Sequence, residues 1–88
     1  MKILLKIKTK MTFKEYVSQE NPQKQHYFTV RVTDDDIQDK YLHYGKWFVG
    51  LRINGVYHTY ILHNDSLYTM DEDGNKDKPT VFYFKHTK

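Results

Sequence analysis

Few residues in this chain of 88 have the types needed for bond chemistry, and their spacing argues against most of the reactions they could serve. There is no cysteine, which removes a thiol nucleophile, a thiolate zinc site and a disulfide framework together. Ser18 and Ser66 are the only serines, and neither sits in a Gly-x-Ser-x-Gly elbow. The four glycines are scattered, so no glycine-rich loop is available to cradle a phosphate. The histidines, His26, His43, His58, His63 and His86, match no ligand spacing. His58 has two readings. Strand alternation puts it on an apolar face opposite Leu51, packed and hydrogen-bonded to backbone. Lining a cleft with Tyr60 instead, it would be the best acid–base group in the chain.

The acidic stretch Asp71 to Asp77 has oxygen ligands at 71, 73, 75 and 77, the spacing that opens a calcium loop of the EF-hand type. The match then fails. Gly74 falls too early in the loop, and Phe82 stands where a bidentate Glu is required. A solvated hairpin loop is the expectation, with no metal and no cofactor. Asn64-Asp65-Ser66 has the glycosylation pattern, which means nothing without a secretory signal.

What remains is binding chemistry. The outward positions of the expected strands hold Lys2, Lys6 and Lys8, then Tyr27 and Arg31, Arg52 and Tyr57, and Tyr83 and Lys85. Cations interleaved with aromatic rings on one sheet face can follow a phosphate backbone and stack bases. The same residue types are also the ordinary composition of a solvated antiparallel face. Tyr and Arg are equally the usual hot spots of protein interfaces. Phe48 and Ile61 would add an apolar spot to that face, and Asp34 to Asp36 an acidic one. The binding residues expected from the sequence are therefore Lys6, Lys8, Tyr27, Arg31, Phe48, Arg52, Tyr57 and Tyr83.

Charge decides between these partners by a small margin. Lys and Arg number 14 against 11 Asp and Glu, a net charge of +3. That balance gives no single-sign field over the whole surface, as a dedicated nucleic-acid-coating protein would have. The reading is a non-enzymatic accessory or inhibitor-type domain that binds a protein partner, with a homodimer as one form of it. Its small size and lack of cofactor motifs suit phage or mobile-element accessory proteins, by analogy only. The alternative is single-stranded nucleic-acid binding through the Lys/Arg/Tyr face. A weaker alternative is a small basic, metal-independent ribonuclease. The N-terminal run MKILLKIKTK is too short and too charged for a signal peptide or membrane span, so a cytoplasmic location is expected.

The elements that must position these residues centre on Lys46 to Leu62. Asn54-Gly55 is a two-residue turn signal, because both residues tolerate the positive φ that a type I′ turn demands. It fixes a register in which Ile53 faces Val56, Leu51 faces His58, Val49 faces Tyr60 and Trp47 faces Leu62 on the core side. On the other side Arg52 faces Tyr57, Gly50 faces Thr59 and Phe48 faces Ile61.

Period-two alternation predicts further strands over Met1 to Thr9, His26 to Thr33, Leu67 to Met70 and Thr80 to His86. Thr12-Phe13-Lys14-Glu15 has the pattern of a capping box, which predicts a helix from Phe13 to about Gln19. Thr33 followed by three aspartates, with Lys40 and His43 behind them and Gly45 as a stop, predicts a second helix over Asp34 to His43. The expected fold is a single α+β domain: a twisted antiparallel sheet of about five to six strands, open or curled into a partial barrel, with two short helices. The element order is β-α-β-α-β-β-β-β.

Overall fold

The computed structural model describes residues 10–19 and 29–87. The strand expected over Met1 to Thr9 and the first three residues of that over His26 to Thr33 lie outside the described residues. The described chain forms β1 (Lys10–Thr12), α1 (Phe13–Val17), β2 (Thr29–Thr33), a 3-10 turn (Asp34–Asp36), β3 (Asp39–His43), β4 (Lys46–Ile53), β5 (Val56–His63), β6 (Ser66–Met70) and β7 (Lys76–Lys85). All seven strands join one sheet in the order β1-β2-β7-β6-β5-β4-β3.

This corrects the expected fold class. The described residues are mostly β, 64% strand against 12% helical, in one seven-stranded mixed sheet with one helix and a 3-10 turn. The sheet is mixed because β1 pairs parallel with β2, and β2 parallel with β7, while every other neighbour pair is antiparallel.

The second helix is the element that fails. The Asp36 carboxylate accepts from both the Thr33 amide at 2.9 Å and the Thr33 hydroxyl at 3.1 Å, so the cap forms. It closes only a single 3-10 turn. Beyond it, Asp39 to His43 pairs antiparallel with Lys46 to Gly50, and Tyr44-Gly45 becomes a two-residue turn with both φ positive, 51° and 76°. A ten-residue helix with one apolar pair, Ile37 and Tyr41, gains little on its own. A ladder beside β4 satisfies the same backbone groups and stacks Tyr41 on Phe48, with ring centroids 5.4 Å apart.

Other local rules hold. The Asn54-Gly55 hairpin has the expected register at every pair from Trp47–Leu62 to Ile53–Val56. The box at α1 closes both ways: Glu15 accepts from the Thr12 amide at 2.9 Å, and Thr12 accepts from the Glu15 amide at 3.2 Å. Asn64-Asp65 makes a third tight turn, again with both φ positive.

The main core lies on the sheet face that α1 covers. Val30, Val32, Val49, Leu51 and Leu67 are fully buried there, with Phe13, Tyr60, Phe82 and Phe84 around them. Phe82 is the hub. The rings of Phe13, Tyr16 and Tyr60 stand 6.1, 5.3 and 5.5 Å from it. The sheet coils toward this face. Lys40 on β3 places its ammonium 4.6 Å from the Phe84 ring on β7, four places away in the sheet order. A flat sheet would hold those strands ~19 Å apart, at ~4.8 Å per strand. Asp34 locks the closure, 3.9 Å from Lys40 and 3.0 Å from the His86 imidazole, while accepting from the Thr87 amide at 3.1 Å.

Coverage stops short of the hairpin's ends. Trp47 and Val56, both expected inside, are exposed. So is His58, which corrects the expectation of a core histidine. Its face is the right one, but α1 does not reach so far along β5.

Candidate functional site

The described residues present two surfaces of distinct chemistry. The first is cationic and belongs to the parallel strands. The registers of β1, β2 and β7 align Thr12 with Arg31, Arg31 with Tyr83 and Thr33 with Lys85 on the face away from the core. Lys10, Arg31, Lys85 and Tyr83 therefore converge on one open cleft of about 440 Å³, whose wall includes Thr12 and Glu15. Three cations around a phenol suit a phosphate or carboxylate group, which a guanidinium can hold in bidentate fashion.

The second surface is aromatic and apolar, and lies along β3 and its turn into β4. All five residues of β3 are exposed, and among the described strands β3 pairs with β4 alone. Leu42 is 57% exposed and sits opposite the exposed Trp47; Tyr41 is exposed on the other face. Tyr44, at the turn, is 90% exposed and holds φ at 51°, a conformation in which a bulky side chain is strained. The edge has no proline, and its charges, Asp39 and Lys40, are of opposite sign; Lys40, folded inward over Trp47 and Phe84, is the one edge-blunting device on the strand itself.

The residues expected to bind are distributed unevenly. Arg31 and Tyr83 share the cationic cleft. Arg52 and Tyr57 meet each other instead. The guanidinium stands 5.9 Å from the Tyr57 ring centre and donates to the Gly55 carbonyl at 3.2 Å, and the ring lies over Gly50, where a Cβ would collide with its phenol oxygen. β2 and β4 are four places apart, so Arg31 and Arg52 form no common stripe. Phe48 is 8% exposed and Ile61 4%, so the apolar spot expected there is covered, with Tyr41 stacked on Phe48. Lys6, Lys8 and Tyr27, with Lys2, lie outside the described residues.

The sequence reading missed Lys10, Tyr41, Leu42, Tyr44 and Trp47 as surface residues. A signal for the β3 edge was present. Tyr44-Gly45, Asn54-Gly55 and Asn64-Asp65 recur every ten residues, the spacing of a regular hairpin array.

The acidic groups serve the fold. Asp71 Oδ1 accepts from the Asp73 and Asn75 amides at 3.0 and 2.8 Å, and Lys46 Nζ lies 2.6 Å from Asn75 Oδ1, so the loop between β6 and β7 is closed by its own backbone and a lysine. Asp36 holds the start of the 3-10 turn through Thr33, and Asp34 ties β3 to the end of β7 through Lys40, His86 and Thr87. Among the described residues no cluster of three metal-ligating side chains occurs. Among the described residues Tyr60 is displaced far from its ordinary range: burial, reinforced by the neighbouring Tyr16 phenol, pushes it up to about 12. That keeps it a neutral core residue rather than a base.

No protein-family model matches the chain, and no curated protein or solved structure matches it.

Proposed function

We propose that this protein is a non-enzymatic binding domain whose partner is another protein, engaged through the β3 edge. One observation carries the reading: an exposed five-residue edge strand that carries Tyr41 and Leu42, with Tyr44 and Trp47 beside it, all four exposed as large side chains. Exposed backbone groups on an edge strand take an added strand, and adjacent aromatic and aliphatic side chains supply the anchors of such an interface. A strained, almost fully exposed tyrosine adds nothing to the core, so its value lies in contact.

The test is comparative capture from an extract of the cells that produce the protein. One bait carries Leu42→Lys with Trp47→Lys, and another carries Arg31→Glu with Lys85→Glu. A partner kept by the second and lost by the first supports the edge. A partner lost only by the second overturns it.

The cationic cleft supports a second reading, single-stranded nucleic acid, since Lys10, Arg31 and Lys85 surround Tyr83. Fluorescence anisotropy with labelled single-stranded DNA and RNA at low and near-physiological salt tests it. Salt-sensitive binding that Arg31→Glu with Lys85→Glu abolishes favours nucleic acid. No binding at low salt removes it.

A further inference from the structure

We infer that the partner taken up by the β3 edge is a second copy of this chain, paired antiparallel about a two-fold axis at Tyr41. The inference rests on the edge reading above and goes on to name its occupant.

The argument starts from symmetry. A two-fold axis perpendicular to a sheet keeps each face of the sheet on the same side, so residues opposite one another must share a face, and the axis must pass beside a residue of the strand. Three centres within Asp39–His43 give useful overlap. Centred on Lys40, two ammonium groups face each other directly. Centred on Leu42, Asp39 and Lys40 are both left without an opposite in the strand. Centred on Tyr41, all five residues pair.

That last register is self-complementary. Asp39 stands opposite His43 of the second copy, an acceptor against a donor. Tyr41 stands opposite Tyr41 of the second copy, each ring already seated on its own Phe48. Leu42 stands opposite the alkyl stem of Lys40, whose ammonium is drawn inward over the Trp47 and Phe84 rings, 5.5 and 4.6 Å away. No like charges stand directly opposite one another, and the two Lys40, diagonal neighbours, hold their ammonium groups inward over their own Trp47 and Phe84 rings. The two Leu42 side chains become diagonal neighbours, ~7–8 Å apart, with Trp47 of each copy alongside. The exposed Leu42 and Trp47 gain a cover, and two seven-stranded sheets become one. Five residues a side make an interface below the standard ~1,600 Å², so the dimer is expected to dissociate in the micromolar range.

The test uses the whole chain. Sedimentation equilibrium over a concentration series should show a monomer–dimer equilibrium. His43→Asp sets two carboxylates opposite each other and should weaken the dimer at least tenfold. The double variant Asp39→Lys, His43→Asp reverses the polarity of the pair in each copy and should restore it. That recovery depends on the register, and a merely structural role for His43 would not produce it. Because the chain has no cysteine, Tyr41→Cys introduces a unique thiol beside the axis. Opposed strand residues lie ~4.5–5.5 Å apart between Cα atoms, within reach of a disulfide. Mild oxidation should therefore cross-link Tyr41→Cys and leave Tyr57→Cys uncrosslinked. A monomer at every concentration, or a dimer indifferent to both His43→Asp and Tyr41→Cys oxidation, overturns the inference. A monomer that still captures a different protein, lost with Leu42→Lys and Trp47→Lys, overturns only the second copy. Indifference of both assays to the edge variants overturns the edge reading as well.

Discussion

The two sides of the sheet use the same period-two strands and present opposite chemistry. On the parallel side, β1, β2 and β7 have one face under α1, and their other face holds Lys10, Arg31, Tyr83 and Lys85 around a cleft. On the antiparallel side, β3 is exposed throughout and shows rings and a leucine. The difference follows from coverage. Among the described residues one five-residue helix covers the sheet, and it can roof only part of seven strands. Where it reaches, apolar residues vanish into the core and the surface is left to the cations. Where it does not, Leu42 and Trp47 occupy the core-facing side of their strands and stay exposed, with the Lys40 ammonium over the Trp47 ring. The same alternation thus makes a core on one side and a sticky edge on the other.

Breaking what the two sides share should have the largest effect. Leu51→Ala empties a fully buried position in the common core and is expected to cost about 2–5 kcal/mol, read by urea unfolding. Loss of both sides in one transition would show that they fold as a unit. Two transitions would mean that the aromatic side opens separately.

Alkaline pH strains the same core. Tyr60 titrates near 12 in the folded chain against 10 in the unfolded one, so between those values the unfolded state releases a proton that the folded state keeps. Stability is then complete below pH 10 and falls as pH rises from 10 to 12. Denaturant midpoints measured across this window should fall in the wild type and fall less steeply in Tyr60→Phe.

A smaller and opposite effect is expected at the edge. Tyr44→Asn relieves a bulky residue at positive φ and should stabilise the protein by about 1 kcal/mol, visible as a raised thermal midpoint. If Tyr44 is kept for contact, the same variant should bind its partner more weakly. Gain in both stability and binding would separate the tyrosine from function. The smallest effect is expected at the cleft. Arg31→Glu with Lys85→Glu changes exposed charges and should move stability by no more than about 0.5 kcal/mol, so any loss of binding there reads as a direct contact.

Local rules determined much of this chain. Asn54-Gly55 specified its own hairpin, because a positive φ at both turn residues leaves few alternatives, and the register of Lys46 to His63 follows from it. Thr12 and Glu15 specified the start of α1, because both partners of the box lie within one turn. The alternation over Val30, Val32, Phe82 and Phe84 marked core positions correctly. The outward placement of Arg31 and Tyr83 was legible from the same alternation, but their convergence was not. It needs β2 beside β7, a parallel pairing between strands more than forty residues apart in sequence.

Only the tertiary structure decided the fate of Asp34 to His43. Its cap and charge order are compatible with a helix, and they form the first turn of one. The competing ladder with β4 wins because it supplies partners for backbone groups and a seat for Tyr41 on Phe48, and neither gain exists until β4 is in place. Tertiary structure also decided which apolar residues stay outside. Alternation assigns Trp47, Val56 and His58 to the core face, but a face becomes a core only where something covers it. Among the described residues, α1 is short against the width of the sheet, and Leu42 and Trp47 beside the β3 edge stay exposed.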